Sequence, residues 1–174
     1  MSRTPQTLTG RERTFRPDEI IVSKTDPKGR ITYANEVFIR ISGYAEDELL
    51  GQPHCLVRHP DMPRCVVQFM WDTLVSGREI FAYVVNRSKN GDHYWVFAHV
   101  TPTFDDAGTI VGFHSNRRVP DPRAVTKVRE VYEALCRQER RFDNPRAQVA
   151  AGMPALRAFL DSHRTTYEEL VFAL

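Results

Sequence analysis

The stretch Gly51-Gln52-Pro53-His54-Cys55-Leu56-Val57-Arg58-His59-Pro60-Asp61-Met62-Pro63 carries the densest chemistry of the chain. His54, Cys55, Arg58, His59 and Asp61 bring two imidazoles, a thiol, a guanidinium and a carboxylate into a single loop. Pro53, Pro60 and Pro63 fix the backbone around them, so the groups are presented stiffly, as in a loop that faces a ligand. A metal could draw on His54, Cys55, His59 and Asp61. Against that reading, the spacing between the two histidines lacks the regularity of common zinc sites, and no second ligand pair follows. A single imidazole, from His54, His59 or the more distant His114, could serve a haem iron. Catalysis has little to draw on: no nucleophile, base and orienting group stand together, and no glycine-rich phosphate loop is present.

The elements around this loop have readable signals. Residues 1–16 are polar, basic and without pattern. β-Branched residues from Ile20 to Asp26, the turn Pro27-Lys28-Gly29 and the return strand Arg30–Ala34 predict a hairpin. Asn35 reads as a helix cap before Phe38, Ile39 and Ile41, and Ala45–Leu50 as a second short helix ended by Gly51. Pro63 starts a longer helix with Val66, Val67, Met70, Trp71 and Leu74 at helical spacing. Three strands follow, Ile80–Arg87, Tyr94–Phe104 and Ile110–Val119, the first two joined by a turn containing Asn90-Gly91. Beyond Pro120 and Pro122, Val125, Val128, Val131, Tyr132 and Leu135 predict an amphipathic helix over Arg123–Cys136, and the remainder reads as helical. Two strands, short helices and three antiparallel strands form an α+β pattern, with a cavity expected between sheet and helices.

Composition narrows the class. The chain has 174 residues, 41% hydrophobic and 26% charged, with a net charge of +2. That describes a soluble globular domain plus a modest extension and gives no footing for nucleic-acid binding. No apolar run reaches the length of a membrane span, and the N-terminus lacks a signal peptide's apolar core. Three cysteines, Cys55, Cys65 and Cys136, read as free thiols of a cytoplasmic protein.

In this order of elements, Ile31-Thr32-Tyr33-Ala34-Asn35 and Ile41-Ser42-Gly43-Tyr44 resemble PAS sensory domains. The segments from Leu50 to Pro63, Met70-Trp71 and Asn86 to Val96 more closely resemble the PAS domains of the aerotaxis-receptor type. That family binds FAD non-covalently and reports redox state to a signalling partner. The resemblance covers Asp18 to Val119. It implies a five-stranded antiparallel sheet with short helices on one face, preceded by a flexible N-terminal arm or N-cap over residues 1–17. The sensor domain would span 18–119, and residues 120–174 would form a C-terminal helical extension for output or dimerisation. One departure is Glu79-Ile80-Phe81-Ala82, where such domains have a Pro-Trp-x-Gly run; it removes a large aromatic from the pocket side.

The resemblance implies FAD-binding roles for Arg58, His59 and Asp61. Arg58 and His59 would be charge-assisted donors to a pyrophosphate, and Asp61 would orient one of them or meet a ribose hydroxyl. Trp71 falls at the pocket aromatic and Asn86 at the amide facing the isoalloxazine; His54 belongs to the same set. If Asn86 faces the cavity, strand alternation adds Ile80, Ala82 and Val84, then Tyr94, Val96 and Ala98, and on the last strand Gly112, His114 and Asn116. The opposite face would carry Phe81, Tyr83, Val85, Trp95, Phe97, His99, Val111 and Phe113, too much aromatic area to stay wet. The expected function is a non-enzymatic sensor binding FAD, or FMN, that reports redox, oxygen or energy status by protein–protein contact. Its partner would be a second copy, a chemoreceptor or a histidine kinase, reached through the outer sheet face and the C-terminal helices. A blue-light receptor using Cys55, a haem-binding gas sensor and a cofactor-free dimerisation module are the alternatives.

Overall fold

Pro27–Gly29 turns β1 (Ile21–Thr25) back into β2 (Ile31–Ala34), in a computed structural model that describes residues 7–174. Asn35 caps α1 (Glu36–Ser42), its side chain accepting from the Phe38 N–H, and α2 (Glu46–Leu49) follows. A single 3₁₀ turn, His54–Val57, shapes the chemically loaded loop before α3 (Arg64–Val75). The long strands are β3 (Ile80–Arg87), β4 (His93–Phe104) and β5 (Ile110–Arg118). The sheet is five-stranded and antiparallel in the order β2-β1-β5-β4-β3, which puts β3 at one edge. The architecture is therefore the α+β arrangement expected, with Phe38, Leu49, Val57 and Val66 burying the helical layer against Ile21, Ile31, Val96 and Ala98 of the sheet.

Residues 1–6 lie outside the described residues, and the segment from Thr7 to Arg13 runs beside the turn between β3 and β4. Thr9 N–H donates to Gly91 O, His93 N–H to Arg11 O and Arg13 N–H to His93 O, while the Thr9 hydroxyl reaches Asp92 at 2.6 Å. Gly91 is required here twice over: its φ is +93°, and a Cβ would run into the Thr7 carbonyl oxygen.

Beyond the sheet the chain forms α4 (Pro122–Glu139), α5 (Pro145–Ser162) and α6 (Tyr167–Ala173). These helices cover part of the outer aromatic face: Trp95 meets Tyr132 of α4, and Phe81 and Phe97 meet Phe172 of α6. They also join α3. Phe69 packs on Tyr167, and buried Glu139 accepts from the N–H groups of Arg64 and Cys65 at 2.8 and 2.7 Å. The α3 N-terminus has only Pro63 at its own cap position, so its free donors are satisfied from a residue 75 positions away. Gly152 lets α5 approach this junction. A Cβ there would lie 2.7 Å from Glu139 Oε1 and 2.9 Å from Cys65 Sγ. Gly152→Val is accordingly expected to destabilise the protein by about 1–3 kcal/mol through overpacking, measured as a lowered urea midpoint. An unchanged midpoint would mean that α5 can retreat at no cost.

Candidate functional site

A cavity of about 310 Å³ separates the sheet from α3 and the loaded loop. Its volume falls at the lower end of the roughly 300–1,000 Å³ of small-molecule pockets. Trp71 and Met70 of α3 form one wall, His54, Cys55 and Arg58 of the loop another, and Val84, Asn86 and Ala98 the sheet floor. Val84, Asn86 and Ala98 line the cavity as expected, whereas Ile80, Ala82, Tyr94 and Val96 do not, although the hairpin pairs Val84 with Val96 and Asn86 with Tyr94.

The last strand differs by one residue. Pairing of Val100 with Ser115 and Ala98 with Arg117 turns Phe113, Ser115 and Arg117 into the cavity. His114 and Asn116, expected among the cavity groups, therefore do not line it and bond to each other at 3.1 Å. Gly112 likewise does not line the cavity, and Phe113, expected outside, stands edge-on to Trp71 with ring centres 5.2 Å apart. The physical cause is the register shift between Thr103 and Phe104, since a one-residue slip exchanges the two faces of a strand.

Arg117 is the group that the sequence reading missed. It is 2% exposed, and no salt bridge joins it to a carboxylate among the described residues. Its Nη2 donates to Ser23 Oγ and, at 2.9 Å, to His54 Nε2, and its Nε to Ser115 Oγ at 2.9 Å. Its guanidinium lies 4.9 Å from the centre of the Phe38 ring. Burial lowers its pKa to about 10, still leaving it cationic at neutral pH. Because Arg117 can only donate, His54 Nε2 must carry the lone pair, which makes His54 a neutral imidazole. Burial, then the Arg117 charge, lower the His54 pKa to about 3.

That depression has a signed consequence. The unfolded imidazole titrates near ~6.5, so below that pH the unfolded chain holds a proton that the folded chain refuses. The stability contribution is complete above about pH 6.5 and is lost as pH falls toward 3, at up to ~1.4 kcal/mol per pH unit. Burial depresses His59 as well, adding to the same slope. Urea midpoints are expected to fall from pH 7 to pH 5, and His54→Gln to make that fall shallower. An equal slope in the variant would show that His54 takes up its proton in the folded state.

The remaining expected residues divide between two places. Trp71 and Asn86 line the first cavity; Asn86 is 3% exposed and its Nδ2 has no partner. The loop is fastened to the free edge of β3 by an Arg58–Asn86 backbone bridge and by His59 N–H donating to Val85 O at 3.4 Å. Arg58 lines both this cavity and a second, open one of about 650 Å³, whereas His59 lines only the second. His59 is buried, and its Nδ1 accepts the Asp61 N–H at 3.1 Å. Asp61 lines neither; its carboxylate pairs with Arg140 at 2.5 Å, and its carbonyl accepts from the Cys136 thiol at 3.5 Å. All three cysteines are free, and burial raises the pKa of Cys136 to about 11, which keeps it a thiol. No group of metal-binding side chains occurs among the described residues, and no helix there is long and apolar enough to cross a membrane.

Residues 31–117 match the family described as the PAS fold. The aerotaxis receptor of Escherichia coli (strain K12) is 44% identical over 118 residues, covering 68% of this chain and 23% of the receptor. The nitrogen fixation regulatory protein of Klebsiella pneumoniae is 31% identical over 99 residues, 57% of this chain and 20% of that protein. The chain thus spans a fifth to a quarter of the length of these relatives. A structure described as a flavin analogue shedding light on the mechanism of a light-oxygen-voltage domain superimposes with a TM-score of 0.56 at 21% identity, covering 66% of this chain and 86% of that one.

Proposed function

The chain belongs to the PAS fold family, and from that premise we propose that it is a flavin-binding sensor which reports redox or oxygen status through protein contacts. The observation that carries this reading is a set of buried polar atoms without partners around one cavity. Asn86 Nδ2, Arg117 Nη1 and Thr25 Oγ1 are all of this kind, and all three residues line it. Buried donors left unpaired cost about 1–3 kcal/mol each, so their convergence is explained by a ligand that presents acceptors to them. The pyrimidine edge of an isoalloxazine does so, while Trp71, Phe113 and Val84 offer apolar walls to its rings. A flavin would supply a reversible electron acceptor.

The chain's own residues set the terms of binding. Asn86 is held in place by the loop bridge at Arg58, and Arg117 by Ser23, Ser115 and His54. The uncompensated Arg117 cation favours a ligand as it gains negative charge. Change at the loop would pass to α4 through the Asp61–Arg140 pair and the Glu139 cap. From there it would reach a second copy, a chemoreceptor or a histidine kinase in the cytoplasm. FAD is the flavin of choice, with FMN its competitor.

An absorption spectrum of the purified protein, before and after dithionite and then under blue light, tests the reading. A structured flavin band that bleaches with dithionite and ignores light is expected. Reversible bleaching by light would instead assign Cys55, which also lines the cavity, to a photochemical bond. A Soret band would replace flavin with haem, and a colourless protein that takes up no added flavin would overturn the proposal.

A further inference from the structure

The second cavity lies outside the sheet–helix sandwich, between the loaded loop and the C-terminal helices. It adjoins the first cavity at Cys55, Arg58 and Met62, which line both. Its walls are cationic: Arg64 opens α3, Arg87 ends β3 and Arg140 follows α4, and Gln148 of α5 closes the far side. The one carboxylate in the lining, Glu139, is engaged by two backbone donors. Arg87 Nε is buried there without a partner. Cations gathered around about 650 Å³ of open space, beside a ring-sized cavity that shares three of its lining residues, suit the phosphates of a ligand whose ring fills the first.

Resting on the flavin reading, we propose that the second cavity holds the pyrophosphate of FAD, with Arg140 and Gln148 as its outer donors. The C-terminal helices are then part of the cofactor site and dock more firmly on the loaded protein. Arg140 and Gln148 lie beyond the segment that matches the family, so this part of the site belongs to the helical extension. The pyrophosphate is a bridge: on one side it meets the loop and the end of β3, on the other α4 and α5. By linkage, whatever strengthens FAD binding strengthens helix docking by the same factor.

The test titrates the cofactor-free 174-residue chain with FAD and with riboflavin, which has the ring and no phosphate, following flavin fluorescence. Arg140→Gln, at an exposed position, and Gln148→Ala, at a half-buried one, are expected to weaken FAD at least tenfold and fivefold respectively while leaving riboflavin within twofold. Arg140→Lys should recover most of the FAD affinity. In parallel, FAD should slow tryptic cleavage at Arg140 and Arg141, between α4 and α5, and riboflavin should not. Equal loss of both ligands in the variants, or equal affinity for both with no change in cleavage, overturns the proposal and leaves the flavin reading intact. Failure of the unaltered protein to bind either ligand overturns the flavin reading itself.

Discussion

Arg117→Met is expected to weaken flavin binding by about 10- to 100-fold while the cofactor-free protein melts within about 3 °C of the parent. The two halves of this expectation have one cause. A guanidinium that is 2% exposed and has no carboxylate partner is costly to bury, and methionine fills a similar volume without that cost. The cofactor-free fold therefore loses three neutral hydrogen-bond partners and gains relief from desolvation, terms of similar size. Binding has no such compensation, because the unpaired Nη1 is a charged donor, and hydrogen bonds to charged groups contribute ~1.5–3 kcal/mol. Arg117→Lys keeps the charge and loses the fork, so it should fall between the two and keep the bound flavin easier to reduce than the methionine variant does. Isothermal titration of the cofactor-free proteins with FAD, beside thermal melts, checks both halves. Full affinity in Arg117→Met would place the guanidinium outside the binding chemistry, and a collapse of the melting temperature would make it a structural residue.

The second large effect is expected at Glu139. Glu139→Ala strips the donors of Arg64 and Cys65 of their side-chain acceptor at a buried helix terminus and removes a carboxylate from the positive end of α3. Two buried unsatisfied N–H groups at ~1–3 kcal/mol each predict a loss of about 3–5 kcal/mol. The loss should not be uniform. α4–α6 are expected to separate from α3 first, seen by hydrogen exchange as unprotected amides in 122–173 while β3–β5 stay protected. Uniform loss of protection would instead make the helical extension and the sheet one cooperative unit. Glu139→Gln retains one acceptor oxygen and should cost about half as much.

Residues differ in how far they announced these roles. The hairpin of β3 and β4 was readable because Asn90-Gly91 fixes its register, whereas the direction of Asn86 was implied only by the family resemblance. The last strand misled because Phe113 matches the aromatic face of its neighbours in type, and nothing local marks the irregularity at Thr103–Phe104. Once Phe113 is turned inward, period-two counting gives Ser115 and Arg117 directly. Helical spacing after Pro63 put Trp71 on the apolar side of α3, while its place at the pocket was implied by the family resemblance. The Glu139 cap and the pairing of Asp61 with Arg140 join residues more than 70 positions apart, and no local pattern encodes such partners. Asp61 lay in a loop that reads as ligand-facing, yet its carboxylate is engaged by a helix that the loop gives no hint of.

The segment from Thr7 to Arg13 has a bearing on modular exchange. It rests on the turn between β3 and β4, where Gly91 is shaped to receive it, while Glu139 secures the other end of the domain. A cassette cut to the family match, 31–117, would leave that turn uncovered and α3 uncapped. Chimeras that graft this sensor onto a foreign effector should therefore be spliced no later than Thr7 and no earlier than Glu139. Any linker between sensor and effector would then begin inside the helical extension, where its phase along α4 sets how the effector is oriented.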